Sequence, residues 1–176
     1  MYLPWRPTGP AADGGTISSS VTAAEAAALR QLAANREHVL EVGAAFGFST
    51  ILLAQEAGHV TSVDPHTAFE SLPALAANLE HYGVSERVTV LAELSQRALQ
   101  RLPQAFFDMA FVDGDHTFEG VRHDALEVLR LVRSGGILAF HDYHEGTCPD
   151  VARVLDHLFP GGPARIVDTL FVVPRP

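Results

Sequence analysis

The stretch His38-Val-Leu-Glu-Val-Gly-Ala-Ala-Phe-Gly-Phe-Ser-Thr50 is the part of this chain that most clearly indicates its class of fold. It begins with a short apolar segment typical of a buried strand, continues through a turn bounded by Gly43 and Gly47, and then enters a helix. Glycines let the backbone approach a ligand closely, and the start of a helix offers free N–H groups. The stretch therefore predicts a strand–turn–helix corner that binds a ligand.

The chemistry of this corner separates two kinds of ligand. Glu41 lies two residues before the turn, and a carboxylate there favours a ligand with an amino group or hydroxyls over a bare phosphate. The dinucleotide fingerprint Gly-x-Gly-x-x-Gly needs a middle glycine beside the pyrophosphate, but Ala45 stands at that position here. A nicotinamide-dependent oxidoreductase is therefore a disfavoured alternative.

Composition limits the class of protein. The 176 residues suit one domain, and 47% apolar with 19% charged residues is typical of a globular chain. The net charge of -9 argues against a nucleic-acid partner and favours a small-molecule substrate. The single cysteine, Cys148, predicts a reducing compartment. No signal-peptide pattern or membrane-length apolar run is visible, so we expect a cytoplasmic protein without a membrane partner. The oligomeric state stays open, with a homodimer as one alternative.

Strand and helix patterns alternate along the chain. Residues 1–19 are rich in Pro, Gly and Ser and are predicted to form an irregular arm, whereas residues 20–176 are predicted to form a single domain. Thr22-Ala-Ala-Glu25 has the spacing of a capping box and predicts the start of the first helix. We predict further strands at 59–64, 87–92, 107–113 and 136–140, one or two final strands within 165–173, and helices at about 68–82, 95–102, 117–133 and 150–159.

This alternation predicts an α/β fold. The expected architecture is a doubly wound, mostly parallel seven-stranded sheet with helices on both faces, a Rossmann-like arrangement. Right-handed crossovers place the carboxyl ends of parallel strands on one rim, where ligands bind. Acidic residues lie at or just past the ends of five predicted strands: Glu41, Asp64, Glu93, Asp113 and Asp142.

Two of these acids suit particular roles. Asp64 comes about 20 residues after the glycine turn, a spacing that suits a contact with a ribose diol. Asp113 and Asp142 follow neighbouring strands of the predicted sheet, so their carboxylates should meet and favour a cation such as Mg²⁺. His141 as an added ligand would favour Mn²⁺, Fe²⁺ or Zn²⁺. The alternatives are that Asp115 caps the following helix and that the histidines lie on the surface.

Three motifs together resemble a known family. Glu41-x-Gly-x-x-x-Gly47 resembles the first motif of class I S-adenosylmethionine-dependent methyltransferases. Phe-Val-Asp113-Gly-Asp-His116 and Gly-Gly-Ile-Leu-Ala-Phe-His141-Asp142-Tyr resemble the small members related to macrocin-type sugar O-methyltransferases. The resemblance covers roughly residues 38–175 and implies S-adenosylmethionine as cofactor and, in several members, a divalent metal that holds substrate hydroxyls.

The resemblance also implies roles for residues of this chain. His116 and Asp113 are the predicted catalytic residues, with His116 as general base at its ordinary pKa. Asp113, Asp142 and His141 are the predicted metal ligands, although many relatives have an acid where His141 stands. The predicted cofactor-binding residues are Glu41, Gly43, Ala44, Gly47, Ser49, Thr50, Asp64, Pro65, His66, Glu93, Ser95 and Asp113.

The expected activity is methyl transfer to a hydroxyl of a small molecule, with or without a divalent metal. Two alternatives keep the fold but change the function: a metal-independent N- or C-methyltransferase, and a non-catalytic nucleoside-binding protein.

Overall fold

The computed structural model describes residues 6–68 and 70–176, with side chains described for 10–68 and 70–176. The first five residues of the predicted arm therefore lie outside the described residues. The strands are β1 (Arg6–Pro10), β2 (Thr16–Ser19), β3 (His38–Val42), β4 (His59–Val63), β5 (Val88–Leu91), β6 (Phe107–Val112), β7 (Val132–Phe140), β8 (Arg165–Val167) and β9 (Leu170–Pro174). The α-helices are α1 (Ala23–Ala33), α2 (Phe48–Glu56), α3 (Leu72–His81), α4 (Ser95–Ala98), α5 (Phe118–Leu131) and α6 (Pro149–Leu158).

Seven strands form one sheet in the order β5-β4-β3-β6-β7-β9-β8. β3 pairs in parallel with β4 and β6, while β9 runs antiparallel to both of its neighbours. The predicted doubly wound, mostly parallel sheet is thus confirmed. Strand order reverses between β3 and β6, and the crevice above their carboxyl ends is the place where such sheets bind ligands.

Two buried apolar clusters lie on opposite faces of the sheet. One contains Leu40 of β3 together with residues of α4, α5 and α6. The other contains Val39 of β3 together with residues of α1, α2 and α3. All six residues of β6 are buried, as expected for a central parallel strand covered by helices on both faces. The helices therefore cover both faces and leave the rim of the sheet open.

The glycine pair at 135 and 136 corrects one predicted boundary. The sequence predicts a helix over 117–133 and a strand over 136–140, but α5 ends at Leu131 and β7 already begins at Val132. A Cβ on Gly136 would lie 2.8 Å from the backbone oxygen of Asp108 on β6. The glycine therefore lets β7 pass close to β6 instead of stopping a helix.

The amino-terminal segment corrects a second prediction. β1 and β2 form an antiparallel pair, so an irregular conformation is wrong for residues 6–19. The turn between them contacts α3, because the backbone N–H of Ala12 donates to Asn78 Oδ1 at 2.9 Å. Tyr82 donates its hydroxyl to the backbone oxygen of Pro10 at 2.7 Å. Prolines and glycines are rare inside strands, so the sequence of this segment does not indicate a hairpin. Contacts with Asn78 and Tyr82, which are distant in the chain, support it instead.

Among the residues that the structure describes, no helix is both long and apolar enough to cross a membrane.

Candidate active site

A cavity of about 850 Å³ opens above the carboxyl ends of the parallel strands. Predicted site residues that line it are Gly43, Ala44, Ser49, Asp64, Pro65, His66, Ser95, Asp113, His116, His141 and Asp142. Predicted site residues that do not line it are Glu41, Gly47, Thr50 and Glu93. The expected gathering of strand-end acids on one rim therefore holds for Asp64, Asp113 and Asp142.

The glycine turn between β3 and α2 packs directly on the end of β6. Gly43 has a φ of +94°, and a Cβ there would lie 1.9 Å from the backbone oxygen of Asp113. The backbone N–H of Asp113 donates to Val42 O at 2.7 Å. Gly47, with a φ of +92°, precedes α2 and lies against Leu75. Close packing against backbone requires glycine at Gly43, whereas the positive φ favours it at Gly47.

Asp64 binds the glycine turn with its own carboxylate. Its Oδ2 accepts hydrogen bonds from the N–H groups of Ala44 (2.9 Å) and Ala45 (2.8 Å), and its Oδ1 accepts one from His66 N–H (2.6 Å). The turn amides that would otherwise bind a phosphate are therefore already used. A carboxylate has about four acceptor positions, so Asp64 retains capacity for a hydroxyl of a ligand in the cavity.

Glu41 lies beneath the turn and has no exposed surface. Its carboxylate accepts hydrogen bonds from the hydroxyls of Ser49 (2.6 Å), Thr50 (2.6 Å) and Ser62 (2.7 Å). This placement corrects the prediction that Glu41 and Thr50 contact the ligand directly. Instead, the two residues join the start of α2 to β3 and thereby hold the turn in position.

Burial raises the pKa of Glu41 to about 7, from an ordinary value of 4.5, and the charge of Asp64 adds to this effect, while the three hydroxyl hydrogen bonds oppose it. A raised pKa in the folded state means that protonated Glu41 stabilises the fold below pH 4.5 and that this stability is lost as the pH rises through about 7. We expect the free energy of unfolding to fall by about 3 kcal/mol over this pH range because of Glu41.

Urea unfolding at a series of pH values measures this loss. Glu41→Gln should flatten the fall in unfolding free energy between about pH 5 and pH 8, because the amide does not titrate. Glu86→Gln, which changes an exposed acid in the same way, is the matched control and should keep the wild-type slope. Equal slopes for the wild-type protein and Glu41→Gln would contradict the assignment.

Glu93 is a second correction. It pairs with Arg101 at 2.6 Å on the surface and does not face the cavity. The neighbouring residues Leu94, Ser95 and Gln96 form this part of the wall instead. Ser95 is the first residue of α4, whose N-cap is Leu94.

Two acids and two histidines meet at the ends of β6 and β7. His116 Nε2 lies 2.8 Å from Asp142 Oδ2 and 3.4 Å from Asp113 Oδ1. His141 Nδ1 lies 3.3 Å from Asp142 Oδ1 and 3.4 Å from Asp113 Oδ1. Neither ring nitrogen has a partner with hydrogen-bond geometry within the described part of the chain. The four side chains therefore converge on one point without satisfying one another.

The electrostatics of this cluster correct the expected state of His116. Polar contact with Asp113, and then with Asp142, raises the pKa of His116 to about 10, although burial opposes this. Burial also opposes the charged form of His141, but Asp113, Asp142 and Glu25 outweigh it and raise its pKa. The assumption that His116 is a neutral base with an ordinary pKa is therefore wrong for this arrangement.

The cluster fits a divalent cation. One ligand atom from each of Asp113, His141 and Asp142 lies within 4.8 Å of the others. Two carboxylates and one imidazole are a donor set that divalent metals accept. His141 is almost fully buried, with 2% of its side chain exposed, and its Nδ1 faces the carboxylates without a hydrogen-bond partner among the described residues. A cation there would satisfy the unpaired nitrogen and the two like charges together.

Sequence reasoning missed several residues of this site. Glu25 of α1 is fully buried, and its Oε2 lies 3.1 Å from His141 Nε2. The capping box predicted from Thr22 and Glu25 is confirmed, but its spacing does not reveal the contact with His141. Asp124 of α5, another buried acid, also lines the cavity. The remaining missed wall residues include Ser18, Ser19, Ser20, Thr147 and Cys148.

This fold and this site define a class of protein. Class I methyltransferases have a wound parallel sheet with a glycine turn after its first strand, here β3. An acid follows the second strand, here β4, and further acids lie at the ends of the next strands. A family model described as "Methyltransferase domain" matches residues 40–143, more than half of the chain. The chain belongs to this family, and it is an S-adenosylmethionine-dependent methyltransferase. The nicotinamide-dependent alternative is thereby excluded.

Individual relatives agree with this assignment. The chain is 30% identical over 159 residues to a catechol O-methyltransferase of Mycobacterium tuberculosis (strain ATCC 25618 / H37Rv), covering 74% of this chain and 71% of the relative. It is 26% identical to the cofactor-bound protein Rv0187 from MTB, with a TM-score of 0.69 over 78% of this chain and 68% of that one. An O-methyltransferase from Bacillus cereus in complex with SAH shares the fold, with 19% identity and a TM-score of 0.70 over 88% and 82% of the two chains.

Proposed function

We propose that this methyltransferase transfers a methyl group to a hydroxyl oxygen of a small molecule and that a divalent cation at Asp113, His141 and Asp142 assists the transfer. The convergence of these three side chains at the floor of the cavity is the observation that carries the proposal. The name of the relative, catechol O-methyltransferase, supports a hydroxyl as acceptor. A cavity of about 850 Å³ lies within the range of small-molecule sites.

The glycine turn, Asp64 and the wall from Leu94 to Gln96 are proposed to bind the cofactor. Asp64 is held rigidly by the turn amides and would accept from a ribose hydroxyl with its remaining lone pair. Pro65 and His66 continue this wall beside the ribose position. S-adenosylmethionine, when bound, supplies the electrophilic methyl group.

The acids Asp113 and Asp142 at the ends of β6 and β7 are proposed to orient the methyl acceptor. Asp113, Asp142 and His141 would hold a metal ion, which when bound lowers the pKa of a substrate hydroxyl and orients it. His116 Nε2, next to Asp142, is the atom proposed to take the hydroxyl proton. A cation held by Asp113 and Asp142 would offset their charges, which otherwise raise the pKa of His116 and keep its ring protonated at neutral pH. Positioning and stabilisation of the oxyanion would supply most of the rate gain.

Cofactor binding is the first test of these assignments. Calorimetry with S-adenosylhomocysteine should show one site per chain, and Asp64→Ala should weaken binding about tenfold or more because a hydrogen bond to ribose made by a charged group is lost. Glu93→Ala is the matched control, since Glu93 lies outside the cavity wall. Equal weakening by both variants would argue against the ribose role of Asp64.

The acceptor class is tested with S-adenosylmethionine and matched acceptors. We expect a methyl ether from a catechol, detected by mass spectrometry, and loss of its formation after treatment with a chelator. Methylation of an amine in preference to the hydroxyl, or product formation that a chelator does not change, would contradict the proposal.

The cellular setting is part of the same proposal. The single Cys148 supports a reducing, cytoplasmic location. The net charge of -9 supports a partner that is not a nucleic acid. Light scattering measures whether the chain forms the homodimer that the sequence leaves open.

A further inference from the structure

His141 has a different environment at each of its two ring nitrogens. Nε2 lies 3.1 Å from Glu25 Oε2, and Nδ1 faces Asp113 and Asp142 at 3.4 and 3.3 Å. The histidine follows β7 at the carboxyl end of the sheet, whereas Glu25 comes from α1, 116 positions earlier in the chain. The imidazole therefore bridges a buried carboxylate and the rim.

Hydrogen bonds from residues other than His141 hold the carboxylate of Glu25 in place. Its Oε1 accepts from the backbone N–H of Thr169 (2.9 Å) and from the Thr169 hydroxyl (2.8 Å). Its Oε2 accepts from the backbone N–H of Thr22 at 2.8 Å. These donors leave Glu25 only an acceptor role towards His141. With a cation at the ends of β6 and β7, Glu25 would hold the proton on Nε2 and leave the lone pair of Nδ1 for the ion.

We propose that Glu25 is a positioning residue that holds His141 as a nitrogen ligand, so that the site prefers a divalent transition metal ion to Mg²⁺. This inference rests on the metal site of the proposed function and adds the identity of the ion. A histidine that ligates a metal donates its other N–H to a carboxylate in many proteins, and this partner orients the ring and makes it more basic. Glu25 has that position relative to His141.

The choice of ion follows from the ligand atoms. Mg²⁺ is bound through oxygen ligands and keeps several waters, whereas imidazole suits Zn²⁺, Fe²⁺ and related ions. Asp113 and Asp142 alone would suit Mg²⁺. The buried imidazole of His141 cannot turn away from the site, because Glu25 holds its far side.

Metal titration of the chelator-treated protein tests the role of Glu25. We expect Mn²⁺ and Co²⁺ to bind more tightly than Mg²⁺, and Glu25→Gln to weaken Co²⁺ binding about 10- to 100-fold. Thr22→Ala is the matched control: it removes the hydroxyl that caps α1 but keeps the contact between Glu25 and His141. Its Co²⁺ affinity should equal that of the wild-type protein. Thermal melting and S-adenosylhomocysteine binding verify that each variant is folded.

A double variant tests the identity of the ion. His141→Asp replaces the imidazole with a carboxylate, and Glu25→Gln in the same protein removes the buried charge behind it. The double variant leaves an all-oxygen site. We expect it to reduce the preference for Co²⁺ over Mg²⁺ at least tenfold relative to the wild-type protein.

Pulsed electron paramagnetic resonance of the Mn²⁺-loaded protein observes the ligand directly. A nitrogen coupling should be present in the wild-type protein and in His116→Ala, and absent in His141→Asp. Binding of Mn²⁺ without nitrogen coupling, or Glu25→Gln with unchanged Co²⁺ affinity, would overturn the inference while leaving the metal site in place. Failure of all three ions to bind the wild-type protein would instead overturn the metal assistance of the proposed function.

Discussion

Gly43→Ala is expected to lower the free energy of unfolding by about 4 kcal/mol or more, a large part of the stability of a domain of this size. The new Cβ would lie 1.9 Å from the backbone oxygen of Asp113, and backbone on both sides of the contact cannot turn away as a flexible side chain would. The φ of +94° adds strain that only glycine escapes. Chemical denaturation measures the loss.

Gly83→Ala is the matched control for this experiment. Gly83 also has a positive φ, +65°, but a Cβ there meets no atom within 4 Å among the described residues. Gly83→Ala should lower the free energy of unfolding only by the cost of backbone strain, roughly 1 kcal/mol. Equal losses for the two variants would show that the contact between the glycine turn and the end of β6 is not as close as the structure has it.

Asp142→Asn is expected to lower kcat/KM for a hydroxyl acceptor at least about 100-fold, equivalent to roughly 3 kcal/mol of transition-state stabilisation. The amide keeps the shape of the side chain and tolerates the left-handed φ of 59° at this position, so the backbone is preserved. It removes one of the two carboxylate charges that would hold the cation. Steady-state kinetics with and without added metal ions measure the effect.

The control for Asp142→Asn is Asp156→Asn. Asp156 accepts a hydrogen bond from the Tyr143 hydroxyl at 2.7 Å and does not line the cavity. We expect its activity and metal response to remain near those of the wild-type protein. If Asp142→Asn kept the wild-type dependence on metal ions, the assignment of Asp142 as a ligand would be wrong.

Local patterns predicted the frame of the site well. The stretch from His38 to Thr50 forms β3, the glycine turn and the start of α2, as expected. The alternation of apolar segments predicted a mostly parallel sheet, because strands covered on both faces are continuously apolar. The spacing from Gly43 to Asp64 placed this acid at the tip of β4, where it meets the turn.

The same patterns failed where distant segments meet. Glu25 was recognised only as part of a capping box, since nothing near it in the chain indicates His141. Glu41 was expected in the cavity, but three hydroxyls from α2 and β4 enclose it. Glu93 was expected to bind the cofactor, but it points to Arg101 on the surface.

Local patterns were thus enough to predict the class of fold, the glycine turn and most of the acids at the strand ends, because hydrophobic periodicity and turn residues act over a few neighbouring positions. The protonation of His116, the burial of Glu41 and the pairing of Glu25 with His141 depended on the folded chain. These properties follow from desolvation and from charges only a few ångströms apart, and folding alone brings residues more than a hundred positions apart to that distance.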